Sequence, residues 1–227
     1  MVRRGDSDSL ALEVYDRLRS DILERQVQPG ERLKQLEIGR RLGVSAGVMR
    51  EALNLLSAQG LVRIERNRGF FVADLSPETF AEVIEARCVI EGATLRLSVS
   101  RGDVAWEADV VAAHHRLARE PRAPEGAGGD RNPAWARAHA DFHRTLLRAC
   151  GNAPMLAVCE RFWDATELHR VWVPDPDPDR DVAGEHRAIL EAVLSRDAER
   201  AGALLEAHMA MPDGAASAER SRTGDGS

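Results

Sequence analysis

What most constrains this chain is a change of hydrophobic period within its first 75 residues. From Leu10 to Gln26, the apolar residues Leu10, Val14, Leu18, Ile22 and Leu23 recur every three or four positions, which predicts an amphipathic helix stopped by Pro29-Gly30. A second short helical stretch runs from about Gln35 to Leu42, with Leu36, Ile38 and Leu42 as its apolar side. Gly43-Val44-Ser45 makes a tight turn, and Ser45 suits the N-cap of a third helix reaching about Gln59. After Gly60 the period falls to two. Leu61, Arg63 and Glu65 alternate with Val62 and Ile64, and Asn67-Arg68-Gly69 turns the chain into Phe70-Phe71-Val72, a hairpin wing with a basic tip. In the third helix Val48, Ala52, Leu55 and Leu56 should pack inward, leaving Arg50, Glu51 and Asn54 on the face that a major groove would meet.

Charge is divided along the chain in a way that fits such a head. Residues 1–75 hold 13 Lys and Arg against 11 Asp and Glu, a net +2, which leaves −8 of the overall −6 on the rest. A weakly basic head on an acidic body touches phosphate through a few placed side chains rather than as a general polyelectrolyte.

Ser76-Pro77-Glu78 opens a second segment, with Ser76 as N-cap and Pro77 at the first helical position. Helices are expected at roughly 77–101, 103–120, 133–151, 153–171, 181–195 and 197–211, with loops at 122–132 and 173–179 and a disordered tail over 212–227. The expected architecture is mainly α: a winged helix-turn-helix of three helices and a β-hairpin over residues 1–75, then an all-α six-helix bundle over 76–211. Cys88, Cys150 and Cys159 form no framework spacing, and no stretch of 18 apolar residues occurs. A reducing, cytoplasmic setting without membrane insertion is therefore expected.

Four histidines fall at the edges of apolar faces. His139 and His143 lie four apart beside Trp135, Ala138, Phe142 and Leu146; His186 follows the stripe of Val182, Ile189, Leu190 and Val193; His208 follows Ala201, Leu204 and Leu205. An i,i+4 imidazole pair with single histidines from two further helices is a sound way to hold a first-row metal inside a bundle. Periodicity alone equally allows four unrelated core or helix-face histidines. Arg87 and Glu91 share the inward row of Phe80, Ile84 and Leu95, so they either form an internal i,i+4 ion pair or leave Arg87 to receive a carboxylate ligand. No HExxH, Gly-rich phosphate loop or serine elbow accompanies the histidines, so the pattern does not favour an enzyme. Glu185 would be the sole plausible base.

The motifs Tyr15-x-x-Leu18-Arg19-x-x-Ile22, Pro29-Gly30-x-x-Leu33, Leu42-Gly43-Val44-Ser45, Arg50-Glu51-Ala52-Leu53, Gly60-Leu61-Val62 and Arg68-Gly69-Phe70-Phe71-Val72 closely resemble the winged helix of GntR-type regulators. That resemblance implies double-stranded operator DNA as a partner, with Ser45, Arg50, Arg68 and Gly69 against it. Ala46 stands where the family has arginine, and Gly47 weakens the helix by about 1 kcal/mol relative to alanine, so an altered operator preference or weaker binding is expected.

Asp141-Phe142-His143, Cys150-Gly151-Asn152, Glu185-His186-x-x-Ile189 and Asp197-x-x-x-Ala201 ending at His208 resemble the FCD effector domain of the FadR-like branch. This implies a homodimeric regulator, by family habit a repressor, with a metal on His139, His143, His186 and His208. It also implies a small organic-acid effector met by Arg87, with Asn152 a weaker candidate that also suits a helix cap. Histidine at 139 replaces the usual aspartate, which favours zinc, or nickel and other nitrogen-preferring ions, over manganese. It also leaves open a helical domain that only dimerises.

Overall fold

Most predicted stripes find a core, but Leu36, expected on the apolar side of the second helix, is 69% exposed, and the chain sorts into two compact units that cut across its linear order. The computed structural model describes residues 4–122, 132–172 and 180–210, with side chains from residue 9 onward. The loop interiors expected at 123–131 and 173–179 and the tail expected at 212–227 lie outside the described residues. One unit takes residues 4–80 together with Glu160–Trp172; the other takes Ala81–Cys159 and residues 180–210.

In the first unit, α1 (Arg4–Leu23), α2 (Gln35–Leu42) and α3 (Ala46–Ala58) are accompanied by a small sheet. Ala11, Val14, Leu18 and Ile22 of α1 pack with Val48, Met49, Ala52, Leu53 and Leu56 of α3 in one core; Leu55, expected inside, is half-buried. Gly43 ends α2 with φ 68°, in the left-handed region that a glycine enters without a Cβ clash, so the chain can turn directly into α3. Ser45 Oγ accepts the Val48 backbone N–H at 3.3 Å, which satisfies one of the donors that α3's first turn leaves open. We expect Ser45→Ala to destabilise this unit by about 1 kcal/mol, measured as a lower urea midpoint at unchanged slope.

The wing is three-stranded rather than two. β2 (Val62–Glu65) and β3 (Gly69–Val72) form the expected hairpin, and β1 (Arg32–Leu33) adds to the free edge of β3 in the antiparallel order β1-β3-β2. Asn67 (φ 63°) and Gly69 (φ 106°) turn the tip.

The rest is helical: α4 (Pro77–Arg101), α5 (Val104–Arg119), α6 (Pro133–Leu147), α7 (Ala153–Trp172), α8 (Val182–Leu194) and α9 (Ala198–Ala210). The helix expected to continue to 151 stops earlier, tightening into a 3-10 turn over Arg148–Cys150 that Gly151 ends at φ 64°. The last part of α7 belongs to the first unit. Its Leu168 joins that core, and Asp164 accepts forked hydrogen bonds from Arg19, the shorter at 2.6 Å. In the second unit α5 packs on α6 and α8, and α8 on α9, around Phe142, Leu146, Ile189 and Leu205. The three cysteines are free thiols; burial, with the nearby Glu91 carboxylate, pushes Cys159 up to about 12. No helix among the described residues is long and apolar enough to cross a membrane.

Candidate metal centre and DNA-reading face

On α3 the inward residues leave Ala46, Gly47, Arg50, Glu51 and Asn54 exposed along one side, as the helical period requires. This is the outward face of the second helix of a helix-turn-helix, the element that enters a major groove. Arg50 can fork onto a guanine edge and Asn54 onto an adenine. At the wing tip Arg68 is exposed and pairs with Glu65, which also pairs with Arg63; both guanidiniums lie over the Phe71 ring, at 5.4 and 4.8 Å from its centroid. The tip is therefore basic but held by its own carboxylate. Ser45, named from sequence as a DNA contact, caps α3 through its oxygen and retains a hydroxyl proton to donate.

The four histidines converge. His139 and His143 come from α6, His186 from α8 and His208 from α9, all between 2% and 7% exposed. One ligand atom from each lies within 4.8 Å of the other three. The rings face one another, with centroids 4.5 Å apart for His139 and His143 and 4.7 Å for His186 and His208. Trp135, one helical turn before His139, stacks on it at 4.6 Å. Gathering four imidazoles at one point of a helical core is costly for packing alone, because polar rings displace hydrocarbon there. As a donor set it fits a nitrogen-preferring divalent ion such as zinc or nickel.

A carboxylate behind the cluster fixes one tautomer. Glu185 Oε2 lies 2.6 Å from His208 Nδ1, and Arg180 forks onto Glu185 at 2.8 and 2.6 Å while donating to the His208 carbonyl at 2.6 Å. Burial alone would raise the Glu185 carboxyl, but the hydrogen bonds and charges of His208 and Arg180 outweigh it and pull it down to about 2. An ionised carboxylate only accepts, so Nδ1 of His208 carries a proton in either charge state, and when the ring is neutral it is Nε2 that offers its lone pair to the cluster. Arg180 carries no periodic signal in the sequence, since it ends a Pro- and Asp-rich stretch.

A cleft of about 340 Å³ reaches this centre from solvent, with His186 and Trp135 among its buried lining and Arg187 exposed at its mouth. Arg87 is not part of that lining. It lies 3% exposed on α4 and forks onto the fully buried Glu91 at 2.6 and 3.3 Å, so the ion-pair alternative is the arrangement the structure holds. Asn152, the weaker effector candidate, instead accepts the Met155 N–H at the start of α7 at 3.2 Å.

Comparison with known proteins finds two family matches, divided along the sequence rather than along the two compact units. Residues 10–72 match the family of bacterial regulatory proteins of the gntR type, and residues 82–211 match the FCD domain. The chain is 36% identical to the uncharacterized HTH-type transcriptional regulator BphR of Paraburkholderia xenovorans (strain LB400), over 88% of this chain and 82% of that protein. It is 30% identical to the HTH-type transcriptional repressor GlaR of Escherichia coli (strain K12), over 89% of this chain and 93% of that one. Among solved structures, Escherichia coli McbR/YncC shares the fold with TM-score 0.69 at 20% identity, covering 92% of this chain and 94% of that chain. A GntR regulator from Rhodococcus sp. RHA1 does so with TM-score 0.69 at 24% identity, covering 88% and 94%. Helix-turn-helix, wing and helical unit thus agree with sequence kinship, and the chain belongs to the GntR family of DNA-binding transcriptional regulators, not to the enzymes, and carries a C-terminal FCD domain.

Proposed function

We propose that the protein is a homodimeric one-component regulator whose helical unit holds a divalent metal, zinc foremost, on His139, His143, His186 and His208, and whose hold on its operator changes when a small carboxylate binds beside that metal. The observation that carries this reading is the convergence of four buried imidazoles from three helices, one of which, His186, also lines a cleft open to solvent. A metal there supplies a Lewis-acidic anchor for a carboxylate oxygen. The chain's own residues do the rest: Glu185 and Arg180 orient His208, and Trp135 braces His139. Regulation requires that the effector bind one arrangement of the heads better than another. Kinship with a protein named a repressor favours release of DNA as the response, and the place of action is the cytoplasm, where operator DNA lies.

On the DNA side we assign Arg50 to base reading and Ser45, Arg68 and Gly69 to positioning along the backbone and wing. Arg50→Ala should weaken binding to an operator obtained by in vitro selection by about 1–3 kcal/mol and relax preference at one base pair. Arg68→Ala should weaken binding to all sequences alike and reduce the salt slope by about 1. Fluorescence anisotropy over a salt series reads both. The effector reading is tested by titrating small carboxylates into the operator complex before and after chelation. Release by one of them only with metal present is the expected result, and release that ignores the metal would sink the metal-anchored mechanism.

A further inference from the structure

The wing sheet divides its side chains between two unlike faces. Leu33 pairs opposite Phe70 and Val62 opposite Val72, and these four lie in the core of the first unit. Alternation along the strands then puts Arg32, Phe71 and Arg63, which pair directly across β1, β3 and β2, on the outer face, with Gly69 and Glu65 one step further along it. Phe71 is buried yet lies outside that core; the guanidiniums of Arg63 and Arg68 stand over its ring. Two carboxylates answer the arginines here. Glu65 pairs with both Arg63 and Arg68, and Asp74 takes Arg63 at 2.8 Å. Arg32 is left over. It is exposed, has no ion pair among the described residues, and sets Nε and Nη2 beside Gly69, each 3.9 Å from the point that a Cβ there would occupy. Gly69 has no side chain to screen it, and its φ of 106° disfavours any other residue. Arg32 also borders a groove against α1 and α2, but four basic and four acidic side chains line that groove, so its charges balance and a free anion gains little there.

We infer that the outer face of the wing sheet, and not its tip alone, binds the phosphodiester backbone of the operator, with Arg32 of β1 taking a phosphate beside Gly69. This rests on the reading above, that Arg68 and Gly69 lie against DNA. Arg68 must give up Glu65 to meet a phosphate, so part of its attraction is cancelled by the carboxylate it leaves. Arg32 makes no such exchange, and its guanidinium can fork onto two phosphate oxygens. A backbone contact of this kind fixes the register of the wing on the duplex and carries no base preference. Arg32 is therefore a positioning residue, distinct in role from Arg50 on the reading helix.

The test is a salt series by fluorescence anisotropy on the full chain, with the selected operator and with a scrambled duplex of the same length. Arg32→Met keeps most of the stem and removes the charge. It is expected to lower the slope of log affinity against log salt by about 0.9 and to weaken both duplexes alike, by about tenfold at 0.1 M salt. Arg32→Lys, which keeps a cation at the same place, should stay near the wild-type slope. A variant that merely loses a fraction of folded protein leaves the slope where it was, and urea midpoints on the same samples check the fold. An unchanged slope in Arg32→Met while Arg68→Ala lowers it overturns the inference and leaves the wing tip on DNA. A lysine variant as impaired as the methionine one overturns it too, since charge would then not be what Arg32 supplies. Release of the duplex by inorganic phosphate at fixed ionic strength would assign the face to the free ion instead. Slopes unmoved by both Arg32→Met and Arg68→Ala remove the reading on which the inference rests.

Discussion

Purified without a metal-binding affinity tag, the protein is expected to carry about one zinc or nickel ion per chain, and a His143→Ala, His186→Ala double variant to carry none. Four donors from three helices close a site that no unfolded chain presents, so the ion binds the folded state and its affinity becomes stability. At a free-metal concentration a thousandfold above the dissociation constant, the gain is about 4 kcal/mol. Chelation should then lower the melting temperature of the helical unit by on the order of 10 °C. Calorimetry with and without a chelator measures it, beside elemental analysis. The direction with pH follows from the ligands. Imidazoles bind metal only when neutral, so the affinity for the ion should weaken as pH falls. Wild-type protein that is folded and metal-free after growth in zinc-replete medium would end the metal reading and leave the four histidines as packing.

The second large effect is expected far from any ligand. Arg87→Ala should cost about 3–5 kcal/mol, because it leaves the Glu91 carboxylate fully buried with its forked partner gone. Replacing both, as Arg87→Met with Glu91→Leu, should restore most of that stability, since two apolar side chains of similar volume need neither charge satisfied. Urea denaturation of the two single variants and the double variant reads this as a strong coupling between neighbours. Were Arg87 an anchor for the effector, the double variant would be stable but deaf to it. With the cleft lined as it is, a stable double variant should still respond.

Much of this molecule was legible in one dimension. Amphipathic stripes report on burial because a helix places residues three and four apart on one face whatever it later meets. Hence Val14, Leu18 and Ile22 on α1, and His139 with His143 on α6, could be placed before any packing was known. The turn at Gly43 and the cap at Ser45 were likewise local, since a left-handed glycine and a hydroxyl three residues before an open N–H need no distant partner. Resemblance added that His186 and His208 belong with the α6 pair, which spacing alone left open.

Tertiary structure decided what depends on residues far apart in sequence. β1, two residues long, exists only because β3 offers it an edge, and no periodicity can show in so short a strand. The segment Glu160–Trp172 joined the N-terminal unit through Asp164 and Leu168, whose partners lie well over a hundred residues upstream. Whether Arg87 would meet a ligand or Glu91 was undecidable from an i,i+4 spacing that suits both. In the folded chain it lies buried against Glu91, the partner that a guanidinium in such a core requires. Arg180, which steadies a proposed metal ligand through Glu185, and Arg187, which faces the cleft mouth, carry no pattern of their own. Side chains like these take their roles from helices that meet only once the chain has folded.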